Sequence, residues 1–142
     1  MIYRRQIRTD FNGYPSITAD VNGCLAESGV REGYCCIMIP HSTAALAITS
    51  FWDPRGLDDL VDELGRNIPT RVSYKNQTSP YDASGHVKSV LIGSTAMLPV
   101  QNGKLVLGSS QGLVLMEFDG PRTRNYTVMI QAADEGGQDA HK

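Results

Sequence analysis

The stretch Gln111–Arg124, QGLVLMEFDGPRTR, decides the fold. Side chains alternate faces along a strand. On that period Gln111, Leu113, Leu115, Glu117 and Asp119 share one face, while Val114, Met116 and Phe118 share the other and read as core. Gly112–Phe118 is therefore a strand, Asp119-Gly120-Pro121 turns the chain, and Arg124–Ala132 forms the last strand. The signal is antiparallel sheet.

Toward the N-terminus the same signal continues. Met97–Val100 leads into Asn102-Gly103, a strong two-residue hairpin turn, and Lys104–Gly108 returns. Further back, Ile2–Arg8 alternates as a strand and residues 12–15 turn. Ser16 then caps a helix with Ile17, Val21 and Leu25 on one stripe, closed by Gly29. Tyr34–Ile39 is a β-rich apolar run, and Ala44–Phe51 reads as the next strand, its alanines leaving a helix open. The second helix has Asp53 as N-cap and Pro54 in its first turn. Leu57, Leu60, Val61, Leu64 and Ile68 follow at helical spacing until Pro69. After a polar loop over 71–80, a short third helix starts near Asp82, buries Val87, Val90 and Leu91, and ends at Gly93. Residues 1–133 thus form one α+β domain, and the polar residues 134–142 a flexible tail.

Bulk properties narrow the function. The chain has 142 residues, 41% hydrophobic and 20% charged, with a formal net charge of −2. That composition is globular, and the charge gives no field to gather nucleic acid or an anionic membrane. No apolar run approaches the roughly 20 residues of a membrane span, and the N-terminal residues lack the apolar core of a secretory signal. Cys24, Cys35 and Cys36 are odd in number and lack zinc-ligand spacing, so they read as buried structural thiols of a cytoplasmic protein.

The chemistry-bearing residues are few. Glu117 lies among apolar residues and needs a cation, a metal or a hydrogen-bonding partner unless it faces solvent at the strand end. Arg122 and Arg124 share a face if the strand resumes at once. Two guanidinium forks side by side suit a phosphate or carboxylate, or else they pair internally with Asp119 or Glu117. His41 follows Pro40 at a strand end, just before Ser42 and Thr43. His86 has Asp82 one helical turn earlier, placed to fix its tautomer or simply to cap the helix. Asp53 has capping as its plain explanation.

These residues form an ordered series: Pro40-His41-Ser42-Thr43-Ala44-Ala45, Asp53-Pro54, His86-Val87-Lys88-Ser89, Gln111-Gly112, and Glu117-Phe118-Asp119-Gly120-Pro121-Arg122-Thr123-Arg124. The series resembles the YjbQ family, often described as secondary thiamine-phosphate synthases, over nearly the whole chain. The resemblance implies two packed, mainly antiparallel sheets with flanking helices, assembled as a homotrimer. It implies a pocket with a divalent metal ion, zinc or magnesium, held by His41, His86 and Asp82. It also implies catalytic roles for His41, His86, Asp53 and Glu117, and a small phosphorylated ligand touched by Ser42, Thr43, Lys88, Gln111, Asp119, Arg122 and Arg124. The implied reaction joins a hydroxymethylpyrimidine diphosphate to a thiazole phosphate, releasing pyrophosphate.

The departures are equally specific. Where the family commonly has Asn-Glu-Asn before its Asp-Pro, this chain has Thr49, Ser50 and Phe51; where it has Tyr-x-His, this chain has Tyr74-Lys75-Asn76. Ser50 and Asn76 thus remove a carboxylate and an imidazole and weaken metal binding, while Asp82 replaces an asparagine and returns a charge. The sequence therefore supports two readings: an enzyme acting on a small phosphorylated metabolite, or a non-catalytic ligand-binding or assembly protein with a degenerate site.

Overall fold

The computed structural model describes residues 1–50, 53–71, 73–76 and 78–134. Phe51, at the end of the second apolar run, and the tail residues 135–142 lie outside them. Among the described residues, seven strands and three helices run in the order β1 (Ile2–Arg8), α1 (Thr18–Ser28), β2 (Gly33–Met38), β3 (Ala44–Ser50), α2 (Pro54–Asn67), α3 (Pro80–Ile92), β4 (Thr95–Gln101), β5 (Lys104–Leu105), β6 (Gln111–Glu117) and β7 (Thr123–Ala132). One sheet has the order β1-β7-β2-β4-β5; the other is the ribbon β3-β6. All pairings are antiparallel. The protein is α+β, as its hairpin and strand signals require.

Three layers build the molecule. The inner face of the five-stranded sheet supplies Cys35, Ile37, Leu98, Val100, Tyr126, Val128 and Ile130. Against it lie Val21, Cys24 and Leu25 of α1 and the facing residues of the ribbon, Ala44, Leu46, Leu113 and Leu115. The other face of the ribbon, Ala45, Val114, Met116 and Phe118, is covered by Leu57, Val61 and Leu64 of α2. β6 is therefore buried on both faces, which a strand tolerates only when sandwiched between layers. Two of the three thiols fit this core: Cys24 and Cys35 are buried, and burial pushes Cys35 up to about 11, whereas Cys36, on the opposite strand face, is only half-buried; all three are free.

Local chemistry explains most element ends. The Asp53 carboxylate accepts Arg55 N at 2.9 Å, capping α2. The Asn102-Gly103 turn holds both residues at positive φ, 53° and 72°, as a two-residue hairpin needs. Two expectations change. α1 starts at Thr18 with Ile17 at the cap position, while Ser16, bridged to Val114, accepts Thr18 N through its hydroxyl at 3.4 Å. α3 starts earlier, with the Ser79 hydroxyl accepting Asp82 N at 3.0 Å.

The burial of α3 is the larger correction. Val87, Val90 and Leu91, expected inside, are exposed, Val90 to 85% and Leu91 to 64%. The buried face is Ala83, Ser84, Gly85, Lys88 and Ser89. Small residues let the helix backbone approach the ribbon end: a Cβ on Gly85 would sit 3.2 Å from both Phe118 O and Thr43 Cγ2.

Candidate functional site

His41 and His86 come together. With Ser42, Ser89, Val90, Gly93 and Ser94 they line a cavity of about 440 Å³ between α3 and the segment joining β2 to β3. His41 Nε2 lies 3.0 Å from both the backbone N–H and the carbonyl oxygen of Asn125, and the ring's tautomer decides whether it accepts from the first or donates to the second. His86 Nε2 lies 3.4 Å from Ser42 Oγ and 3.5 Å from Asp82 Oδ1. Serine and carboxylate meet the same ring nitrogen, so this is no nucleophile relay, in which they would hold opposite nitrogens. Asp82 is held in turn by the Asn76 carboxamide, which donates to its Oδ2 at 2.8 Å. Ser89 Oγ is buried and makes no hydrogen bond among the described residues.

Glu117 does not face water. It is 1% exposed, and its carboxylate receives four donors. Thr9 Oγ1 and Arg124 Nε reach Oε1 at 2.6 and 2.7 Å; Asp119 N, at 3.1 Å, and Arg124 Nη2 reach Oε2. Arg124, 4% exposed, also donates to Thr43 Oγ1 at 2.8 Å and Thr43 O at 3.2 Å. Burial pushes the Glu117 carboxyl up, but the bonds from Arg124 and Thr9, the Arg124 charge and the Asp119 amide outweigh it and hold it below its ordinary value. Gly120, at φ 91°, lets the next turn close over this pair; a Cβ there would lie 2.9 Å from Asp10 O.

The arginine pair expected around a phosphate is thus divided. β7 resumes only at Thr123, so Arg122 stays in the turn and grips Asp119 Oδ2 through Nε and Nη2 at 2.9 and 2.7 Å. Arg124 points inward to Glu117. Both guanidinium groups have internal acids, the plain alternative that the spacing left open. Glu117, Arg124 and Thr43 form an interior ion-pair network, and Asp119 and Arg122 a surface pair.

Asp53 and Gln111 stand apart. In the ribbon Ala44 pairs with Glu117 and Ser50 with Gln111, so Gln111 lies six residues, about 20 Å, from the histidine end. Its Oε1 accepts Gly108 N at 2.8 Å, closing its own turn. Asp53 follows Ser50 in the chain and serves as the α2 cap, also reaching Arg55 Nε at 3.4 Å. Lys88 is buried away from the histidines, its ammonium 5.8 Å from the centre of the Phe118 ring. Among the described residues no three of His, Cys, Asp and Glu gather so as to hold a metal ion, so His41, His86 and Asp82 are not a preformed ligand set.

Sequence reasoning missed Ser89, Ser94, Thr9 and Asn125. Ser89 was findable, being three residues after His86 on one helix face; the others depend on which strand ends meet.

Fold and site together define a small two-sheet α+β protein with an imidazole-lined cavity at one end of a buried ribbon. The chain belongs to the family described as UPF0047 protein YjbQ-like, whose sequence model matches residues 4–133. It is 34% identical to a UPF0047 protein of Methanocaldococcus jannaschii over 92% of this chain and 94% of that one. It is 35% identical to UPF0047 protein YugU of Bacillus subtilis over 80% and 86%. Among solved structures, a YjbQ/UPF0047 family protein from Clostridium acetobutylicum superposes with a TM-score of 0.87 at 33% identity, covering 91% of this chain and 99% of that one. A YbjQ-like protein of unknown function from Sulfolobus solfataricus gives 0.88 at 29%, covering 94% and 97%.

Proposed function

We propose that the chain is an enzyme that acts on a small phosphorylated metabolite in the His41–His86 cavity. The thiamine-phosphate synthase-like transfer implied by the family resemblance is its reaction class. The observation that carries this reading is two imidazoles lining one cavity of small-molecule size beside a buried hydroxyl, Ser89 Oγ, that makes no hydrogen bond among the described residues. A polar ligand would satisfy that hydroxyl. In the transfer, the thiazole nitrogen bonds the pyrimidine methylene carbon as the carbon–oxygen bond breaks and pyrophosphate leaves. With both arginines committed to acids, the donors for the departing charge are the two imidazoles and the Ser42, Ser89 and Ser94 hydroxyls. Asp82 Oδ1, 3.5 Å from His86 Nε2, helps to orient that ring toward the cavity. Among the described residues His41, His86 and Asp82 are not a preformed ligand set, and no step is routed through an ion.

The test is thiamine phosphate formation from the two precursors, with and without zinc or magnesium. Wild-type turnover should fall by about 100-fold or more in His86→Ala and in His41→Ala. Absence of product under every condition would overturn the proposal. One observation favours the second reading, a non-catalytic ligand-binding or assembly protein: Asn76, at the family's third histidine position, is occupied with Asp82. Product appearing only after Ser50→Glu with Asn76→His would decide for it.

We further propose a cytoplasmic homotrimer. Among the described residues no helix is long and apolar enough to cross a membrane. The outer face of the five-stranded sheet carries the row Ile2, Met129, Cys36 and Met97 across four strands, with Ile2, Met97 and Met129 exposed. An apolar row of this kind suits a subunit contact. Met97→Asp should lower the sedimenting mass to that of one chain; an unchanged mass removes this face from the assembly.

A further inference from the structure

The strands of the large sheet, β1, β2, β4, β5 and β7, contain no aspartate or glutamate, although the chain has a net charge of −2. An anion approaching their outer face therefore meets no carboxylate from these strands. On that face a hollow of about 700 Å³ spans β1 and β7 and ends at Pro40, with no acid in its lining. The strand register gives its shape. Arg4 pairs with Thr127 and Gln6 with Asn125, and between these rows Arg5 pairs with Tyr126. Arg5 and Tyr126 send their side chains through to Asp20 of α1 on the inner side: Arg5 Nε lies 3.3 Å from Oδ1, and the Tyr126 hydroxyl donates to Oδ2. These two thus offer the hollow their backbone, while Arg4, Gln6, Asn125 and Thr127 stand at its corners on the outer face. At the backbone the corners lie about 5 Å apart across the strands and about 7 Å apart along them.

Arg5, Arg55, Arg66, Arg122 and Arg124 each meet an acid of the chain. Arg4 is exposed and meets none among the described residues, where the side chains of Gln6, Asn125 and Thr127 also make no hydrogen bond. A guanidinium, two carboxamides and a hydroxyl around such an opening surround a tetrahedral oxyanion with donors. A planar carboxylate, with two oxygens, would reach only part of the set. We infer that Arg4, Gln6, Asn125 and Thr127 form a site for the phosphate group of a small monoester, outside the histidine cavity. Pro40 walls it one residue from His41, and the Asn125 backbone lies 3.0 Å from His41 Nε2, so the two sites share a border. The assignment is read from the hollow's own residues and does not depend on the reaction proposed for the cavity.

The test is titration of the full isotope-labelled chain with inorganic phosphate at constant ionic strength, following the side-chain amide signals of Gln6 and Asn125. Both should shift saturably with one dissociation constant, and acetate should bind at least about tenfold more weakly. Arg4→Gln should raise the phosphate constant by about tenfold or more. Arg8→Gln removes an exposed cation of the same strand face that does not line the hollow, and should change the constant by less than about twofold. Equal weakening by the two arginine variants would mean a diffuse basic surface and overturns the site. Acetate binding as tightly as phosphate overturns the oxyanion assignment. Phosphate that moves only the signals of His41, His86 and Ser89, or that gives no saturable shift at Gln6 and Asn125, overturns the inference and leaves the histidine cavity to its own assay.

Discussion

Replacing Glu117 with glutamine tests whether the pair at the ribbon end is dry. The amide keeps the shape, removes the charge, and turns an NH₂ group toward Arg124 or the Thr9 hydroxyl. Four donors now meet the carboxylate. The single amide oxygen leaves part of that set without an acceptor, and a guanidinium 4% exposed is left without a counter-charge. Breaking one partner of a buried pair costs about 3–5 kcal/mol. For a chain of this size that lowers Tm by about 10–20 °C, read by calorimetry and by urea midpoints. The double variant Glu117→Leu with Arg124→Met should recover more than half of the loss, because it buries no unpaired charge. The acid limb carries a second signature. Glu117 is held below its ordinary 4.5 in the folded chain. Between the two values the unfolded chain binds the proton and the folded chain does not, so stability rises with pH there and is lost as pH falls through the folded value. Glu117→Gln should flatten that limb. A loss below about 1 kcal/mol, the size of an exposed pair, with Arg124 still in place would refute the reasoning.

Gly85→Ala should push α3 off Phe118 and Thr43, costing about 1–3 kcal/mol and lowering whatever turnover the histidine cavity supports; calorimetry paired with the product assay checks both. Asp53→Ala should cost about 1 kcal/mol through the lost cap and leave turnover unchanged, since Asp53 lies beyond the Gln111 end of the ribbon; a hundredfold loss of turnover would return it to the active centre. Lys88 titrates below its ordinary 10.5 in the folded chain because of burial. The unfolded chain therefore holds a proton that the folded chain has lost, and wild-type stability relative to Lys88→Met should climb with pH up to 10.5. Parallel denaturant curves at matched pH values measure this difference.

Much of the architecture was legible because local chemistry and tertiary demand agreed. Asp53-Pro54 opens α2, Asn102-Gly103 turns the β4–β5 hairpin, and the alternation in β6 placed Val114, Met116 and Phe118 on one face. Two residue patterns misled for physical reasons. α3 looked amphipathic with Val87, Val90 and Leu91 inward, yet close approach to the ribbon needs small side chains, and Gly85 with Ser89 took that role. Gln111 and Glu117 share a strand face but sit at opposite ends of it, a separation that parity does not register. The pairing of Arg124 with Glu117 and of Arg122 with Asp119 hung on where β7 resumes. A one-residue boundary sent the two guanidiniums to different acids. The meeting of His41 with His86 followed from resemblance, since nothing local in either segment says that the end of α3 folds back beside Pro40.

The manner in which α3 seats itself has a mechanical result. Its height above the ribbon leaves no room for a side chain at Gly85, where a Cβ would lie 3.2 Å from both Phe118 O and Thr43 Cγ2. Any larger residue there must lift the helix, and the imidazole of His86, the next residue along, travels with it.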